Sequence, residues 1–233
     1  DHAYLHREGE EMLVKEAHLF GKVGLKNGKM PGTTFAVDSF ACITGGKLRN
    51  VEGSVCSKCY SIKLQQMRPS VDVGYKRNLA KWMACQRLGK GGIEMWISSM
   101  VFQILRANVD EHRWFDGGDA QSVEMIEAIA EVARRTPDVK HWFPTKEYTI
   151  YTEYLKTNTE PDNLTIRVSA AMIDGKPSKA FHNTSTVHKN SEPTGFECDA
   201  YTRLSPISGR PGYCGPCRAC WDKDVPNVSY PKH

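Results

Sequence analysis

Between Ser122 and Arg135 the apolar residues Val123, Ile126, Ile129, Ala130 and Ala133 recur in steps of three and four, which predicts an amphipathic helix. The same spacing predicts helices over 71–88 and 93–108, separated by Gly89, Gly91 and Gly92, and a shorter one over 149–156. Near the N-terminus Met12, Leu13, Ala17 and Phe20 stand among charges, so 10–20 is also expected to be helical. Four short β-prone runs lie between these segments, at 33–38, 112–115, 139–143 and 164–169. Strands alternating with helices across short loops predict an α/β core with parallel pairing. From Asp174 onward the chain is rich in Gly, Pro, Ser and Asn with little periodicity, so this stretch is expected to be irregular and to need cross-links of its own. The expected organisation is therefore an N-terminal helix and turn over 1–30, an α/β core over 31–173 and a C-terminal extension over 174–233.

Composition narrows the class. Of 233 residues 40% are hydrophobic and 25% charged, which suits a soluble globule and excludes disordered or collagen-like chains. The longest uncharged apolar run, Met95 to Leu105, is about half of what a bilayer requires, so no membrane association is expected. The N-terminal Asp1-His2-Ala3 starts no charged-then-apolar leader, and no signal peptide is expected. A net charge of +4, with Lys and Arg scattered among acids, gives no clear nucleic-acid signal.

The eight cysteines change the picture because they are grouped. Cys214, Cys217 and Cys220 stand at i, i+3 and i+6, with fifteen residues between Cys198 and Cys214. Zinc usually takes thiols in pairs from separate knuckles, whereas three on one tight run suit a cubane cluster, so a [4Fe–4S] centre is expected, with zinc in the same four thiols as the alternative. The other group, Cys42, Cys56 and Cys59, has thirteen residues between its first two members. Three thiols would leave one iron of a [4Fe–4S] cluster open to a substrate or cofactor. Cys85 lies in a helical stretch, where it reads either as an inert core thiol or as a fourth ligand to that site. Seven thiols thus offer places for one or two clusters.

Asp116-Gly117-Gly118-Asp119 follows a strand and precedes a helix, which is where parallel α/β proteins bind ligands. Asp119 has the charge to hold an ammonium group; alternatively Asp119 or Ser122 caps the helix and the glycines only turn the chain.

Phe35-Ala36-Val37 before Cys42 and a Gly pair, Cys56-Ser57-Lys58-Cys59-Tyr60, the Gly-Asp loop, Thr145-Lys146 and the Cys-Gly-x-Cys-x-x-Cys-Trp ending together resemble the bacteriophage gene product eighty-eight family, over about residues 31–222. The chain is more weakly similar to radical S-adenosylmethionine (SAM) enzymes. That similarity implies a partial (β/α) barrel, to which residues 174–233 are expected to add an irregular cysteine-rich extension. It also implies a cluster on Cys42, Cys56 and Cys59 that reduces SAM, with Gly117, Gly118 and Asp119 at the SAM amino group and Ser169 on the fourth strand at its ribose. Those enzymes carry C-x3-C-x2-C and Gly-Gly-Glu, where this chain has the longer spacing and Gly-Gly-Asp. The functions implied are reductive SAM cleavage with an electron donor as partner or, in a different class, a non-enzymatic iron–sulfur protein for electron transfer, redox sensing or structure. A zinc-stabilised binding module is the third. The phage resemblance implies the cytoplasm of an infected bacterium.

Overall fold

The computed structural model describes His6–Arg7, Glu10–Glu11, residues 13–25 and residues 27–232. Seven strands form one all-parallel sheet: β1 (Thr33–Phe35), β2 (Glu111–Trp114), β3 (Lys140–Thr145), β4 (Leu164–Ser169), β5 (Thr184–His188), β6 (Phe196–Glu197) and β7 (Asn227–Pro231). Their order is β1-β2-β3-β4-β5-β7-β6, so the sheet is open, with β1 and β6 at its edges. The α/β class and the parallel pairing are as the alternation predicts; the sheet does not close into a barrel. The helices are α1 (Val14–Ala17), α2 (Ile43–Leu48), α3 (Tyr60–Met67), α4 (Pro69–Arg87), α5 (Lys90–Arg106), α6 (Val123–Arg134) and α7 (Tyr148–Leu155). Among the described residues no helix is long and apolar enough to cross a membrane.

Two expectations are corrected. The N-terminal helix is only one turn of α1 followed by a 3-10 turn, while Glu10–Glu11 pairs with His6–Arg7 in a small antiparallel ribbon. The larger correction concerns residues 174–233, which supply β5, β6 and β7 and so complete the sheet. Their pairing is held by buried polar side chains: Thr184 Oγ1 donates to Asn227 Oδ1 (2.8 Å), and Asn227 Nδ2 donates to Thr186 Oγ1 (2.9 Å). Because those groups satisfy one another, this part of the sheet carries no apolar alternation.

Alternation along β2–β4 divides the sheet into two faces. Trp114, Phe143, Ile166 and Val168 point toward the helices and join one core with Trp82, Trp96, Met125 and Tyr154. The other face presents Arg113, Trp142, Thr165 and Arg167. It is covered by the C-terminal stretch, where Trp221 packs edge-on to Trp142 (5.2 Å between ring centroids) and donates Nε1–H to the His112 carbonyl (2.9 Å). The cysteine-rich segment is therefore one layer of the fold.

Candidate functional site

Cys42, Cys56 and Cys59 each lie at the start or within a turn of a short helix: Cys42 precedes α2, Cys56 occupies a 3-10 turn and Cys59 precedes α3. Two strand ends pin this loop. Beyond β3, the buried carboxylate of Glu147 accepts from Ile43 N (3.0 Å), Thr44 N (2.9 Å) and Thr44 Oγ1 (2.7 Å), satisfying the free amides that open α2. Beyond β4, Val55 N donates to the Ala171 carbonyl and Ile173 N to the Gly53 carbonyl, both at 2.9 Å. Gly45 leaves room between two of the thiols, since a Cβ there would fall 3.1 Å from Cys42 Cβ and 3.5 Å from Cys56 Sγ. Burial pushes the Cys42 thiol up, with the charges of Asp119, Cys59 and Glu147 adding to it. Burial also raises Cys56, opposed by the nearby Lys146 ammonium. The three thiols thus gather at the carboxyl edge of the sheet, among Asp119, Glu147 and Lys146.

The Gly-Gly-Asp turn is tightly packed. Gly118 has φ +82°, and a Cβ there would stand 2.6 Å from the Val37 carbonyl oxygen, so glycine is required. Gly117 accepts from Val37 N (3.0 Å) and lies against Tyr75 and Ser61. Buried Asp119 accepts three bonds, from Thr145 Oγ1 (2.7 Å), Lys146 N (2.8 Å) and Ala120 N (2.8 Å). Burial raises its pKa to about 6, those bonds holding it from going higher. Asp119 therefore ties the ends of β2 and β3 together, and Ser122 caps α6 by accepting from Met125 N (3.3 Å). The Ser169 hydroxyl accepts from Ser185 Oγ (3.0 Å) and its carbonyl from Tyr148 Oη (2.9 Å).

The second group comes together on the opposite face of the sheet from the helices. Cys198, Cys214, Cys217 and Cys220 line one pocket, walled by Phe196 and Trp221. Backbone bonds fix them: Cys198 N to the Ser229 carbonyl (2.8 Å), Cys214 N to the Lys29 carbonyl (2.9 Å) and Cys217 N to the Cys214 carbonyl (3.2 Å). Burial pushes the Cys220 thiol up to about 12, with Tyr230 Oη at 3.2 Å and Arg167 working against that. Burial raises Cys198 and Cys214 as well, and the Lys29 charge opposes both shifts.

Arg167 is wholly buried and bonds to carbonyl oxygens of this segment, notably those of Cys220 (3.0 Å), Ala219 (2.9 Å), Asp222 (2.6 Å) and Val225 (2.8 Å). Among the described residues no carboxylate forms an ion pair with it. Arg113 lies over the Trp142 ring, 4.5 Å from its centroid.

The model of the Gene product 88 family matches residues 12–223. The chain belongs to that family. No curated protein and no solved structure matches it. All seven grouped cysteines lie within the matched span. Among the described residues no three His, Cys, Asp or Glu side chains are arranged to hold one metal ion. Cys85 stands apart from both groups, buried in the helical core with Lys81 as its charged neighbour. The sequence reading missed Glu147, Lys29, Arg113 and Tyr230. For Glu147 a signal existed, a carboxylate just past a strand end beside Thr145-Lys146. Arg167 carries no sequence signal beyond its place in the β-prone run 164–169.

Proposed function

We propose that this Gene product 88 protein is an iron–sulfur protein with two centres. One is held by Cys42, Cys56 and Cys59 at the carboxyl edge of the sheet, the other by Cys198, Cys214, Cys217 and Cys220. The observation that carries the reading is the second pocket. Its four thiols stand together with apolar Phe196, Ala200, Trp221 and Val228 and with the Asp199–Arg203 ion pair, and Lys29, Arg113 and Arg167 supply positive charge near the sulfurs. A tetrathiolate centre is an anion, which would compensate a buried guanidinium that carbonyls alone surround. Three thiols on one tight run, Cys214, Cys217 and Cys220, suit a polynuclear centre, in which each sulfur binds its own iron, better than a single zinc ion. The cluster would supply one-electron chemistry, and the protein would hold it and tune its potential through burial and neighbouring charge. An electron-donating partner follows for a redox role, inside an infected host cell as the phage family suggests.

A second reading is reductive cleavage of SAM at the first centre, in a fold related to the radical SAM core. It is favoured by a three-thiol group that leaves one iron without a protein ligand, beside the Gly117 to Asp119 turn. In this reading Gly117, Gly118 and Asp119 hold the SAM amino group and Ser169 reaches the ribose; Asp119 would have to exchange one of its three internal bonds. Anaerobic spectroscopy of two variants tests the main proposal. Cys217→Ala should keep the signal of the first centre alone, and Cys56→Ala that of the second. Identical spectra in both variants and the parent would refute the assignment. For the second reading, reduced protein incubated with SAM should release 5′-deoxyadenosine, and none from protein with an intact cluster would exclude it.

A further inference from the structure

Away from both groups of cysteines, a pocket of about 340 Å³ opens between residues 22–25, β1, the first half of α4 and the turn after β2. Two glycines make room for it. Gly24 pairs with Thr34 through two backbone bonds, and Gly74 lies inside α4, where glycine costs a helix about 1 kcal/mol relative to alanine. A Cβ at Gly74 would meet nothing within 4 Å, so no close packing demands glycine there and the open space faces the pocket.

The wall carries charges of both signs. One is Asp116, whose Oδ1 is buried without a hydrogen-bond partner, although Thr34 bonds to the carboxyl. Arg113 is the nearest cation to it, yet the guanidinium lies over Trp142 with its own Nε also unbonded, so the two do not pair. Tyr75 lines the wall beside Asp116. Lys22 and Arg77, both exposed, line the pocket too, and neither is among the charges that act on Asp116; His18 is close to both. Asn78 is already engaged, bonding to the backbone at Lys22 (2.9 Å) and Ala36 (2.9 Å).

A simple anion entering this pocket would meet Asp116, and a simple cation would meet Lys22 and Arg77. A molecule that carries both charges satisfies both. We propose that the pocket binds a zwitterion of the amino-acid type, its ammonium group toward Asp116 and Tyr75 and its carboxylate toward Lys22 and Arg77. The inference stands on this pocket alone and does not depend on either metal centre.

Thermal unfolding of the full chain in the presence of each free proteinogenic L-amino acid tests it, with the Nα-acetyl and C-amide forms beside each one. At millimolar concentration at least one free amino acid should raise the midpoint by several degrees, and its blocked forms should not, because each lacks one of the two charges. Asp116→Asn should abolish the shift. Gly74→Leu provides the second variant: it fills the pocket from its open side and improves helix propensity, so it should fold with an equal or higher midpoint and show no shift. The proposal is overturned if no free amino acid shifts the parent protein, if the blocked forms shift it equally, or if Gly74→Leu responds as the parent does.

Discussion

Arg167 shows how one side chain organises a segment that lacks a large apolar core. Its guanidinium reaches carbonyls from Ala219 to Val225, which orients the loop carrying Cys220. Arg167→Met should cost about 3 kcal/mol or more, because several buried carbonyls lose a charged donor together. Arg167→Lys should rescue little of this, since an ammonium cannot reproduce the planar fork. Urea midpoints measure the loss, and proteolysis should then begin between residues 198 and 222. His141 makes a separate prediction. It is fully buried, accepts from Trp114 Nε1 (3.1 Å) and donates to Thr136 Oγ1 (2.7 Å), and burial lowers its pKa to about 3. Its folded pKa lies below its unfolded value, so between about pH 6.5 and pH 3 the unfolded state takes up the proton and stability falls as the pH falls. Chemical unfolding at pH 5 should show a loss of about 2 kcal/mol from this group relative to pH 7. Buried His112, whose pKa is lowered by burial and by His141, should add to it.

The short helices around the first group of cysteines depend on groups supplied from strand ends. Glu147→Ala removes the acceptor of two amides and one hydroxyl at the start of α2. It should expose residues 43–58 to protease and lower the metal content of the first centre while leaving the second unchanged; an unaltered digestion pattern would show that α2 is held by other contacts. The long helices were legible in the sequence, and α4, α5, α6 and α7 lie within a few residues of the spans their apolar spacing predicts. Their faces meet a largely apolar core, so burial and pattern coincide. The same held for β4, whose Leu164, Ile166 and Val168 all enter that core. It failed for β5 and β7, because buried Thr184 and Thr186 bond to Asn227, Ser185 to Ser169 and Ser229 to His188, and these polar residues read as loop. Helices α2 and α3 escaped notice for a different reason, being too short to show a period. The cysteine groupings were legible from spacing, but the partners that hold them come from distant strands and no local pattern announces them.

Taken whole, the molecule has helices on one face of an open parallel sheet and a cysteine-rich layer on the other, the latter continuous with three of the strands. Residues 174–233 should therefore be inseparable from the rest. A chain ending at Asp174 loses β5, β6 and β7 and uncovers Trp142 and Arg167, so it should aggregate; a soluble, cooperatively folding truncated chain on gel filtration and in thermal melts would contradict this layering. Metal binding also fits here, because a centre that forms only in the folded chain adds its binding free energy to folding. The central claim is that the seven grouped thiols hold iron and sulfide. Its most direct test is elemental analysis of the full chain purified without oxygen, together with acid-labile sulfide. Two [4Fe–4S] centres predict about eight iron and eight sulfide per chain, falling to about half in Cys217→Ala. Zinc as the sole metal, with no labile sulfide, would contradict the claim.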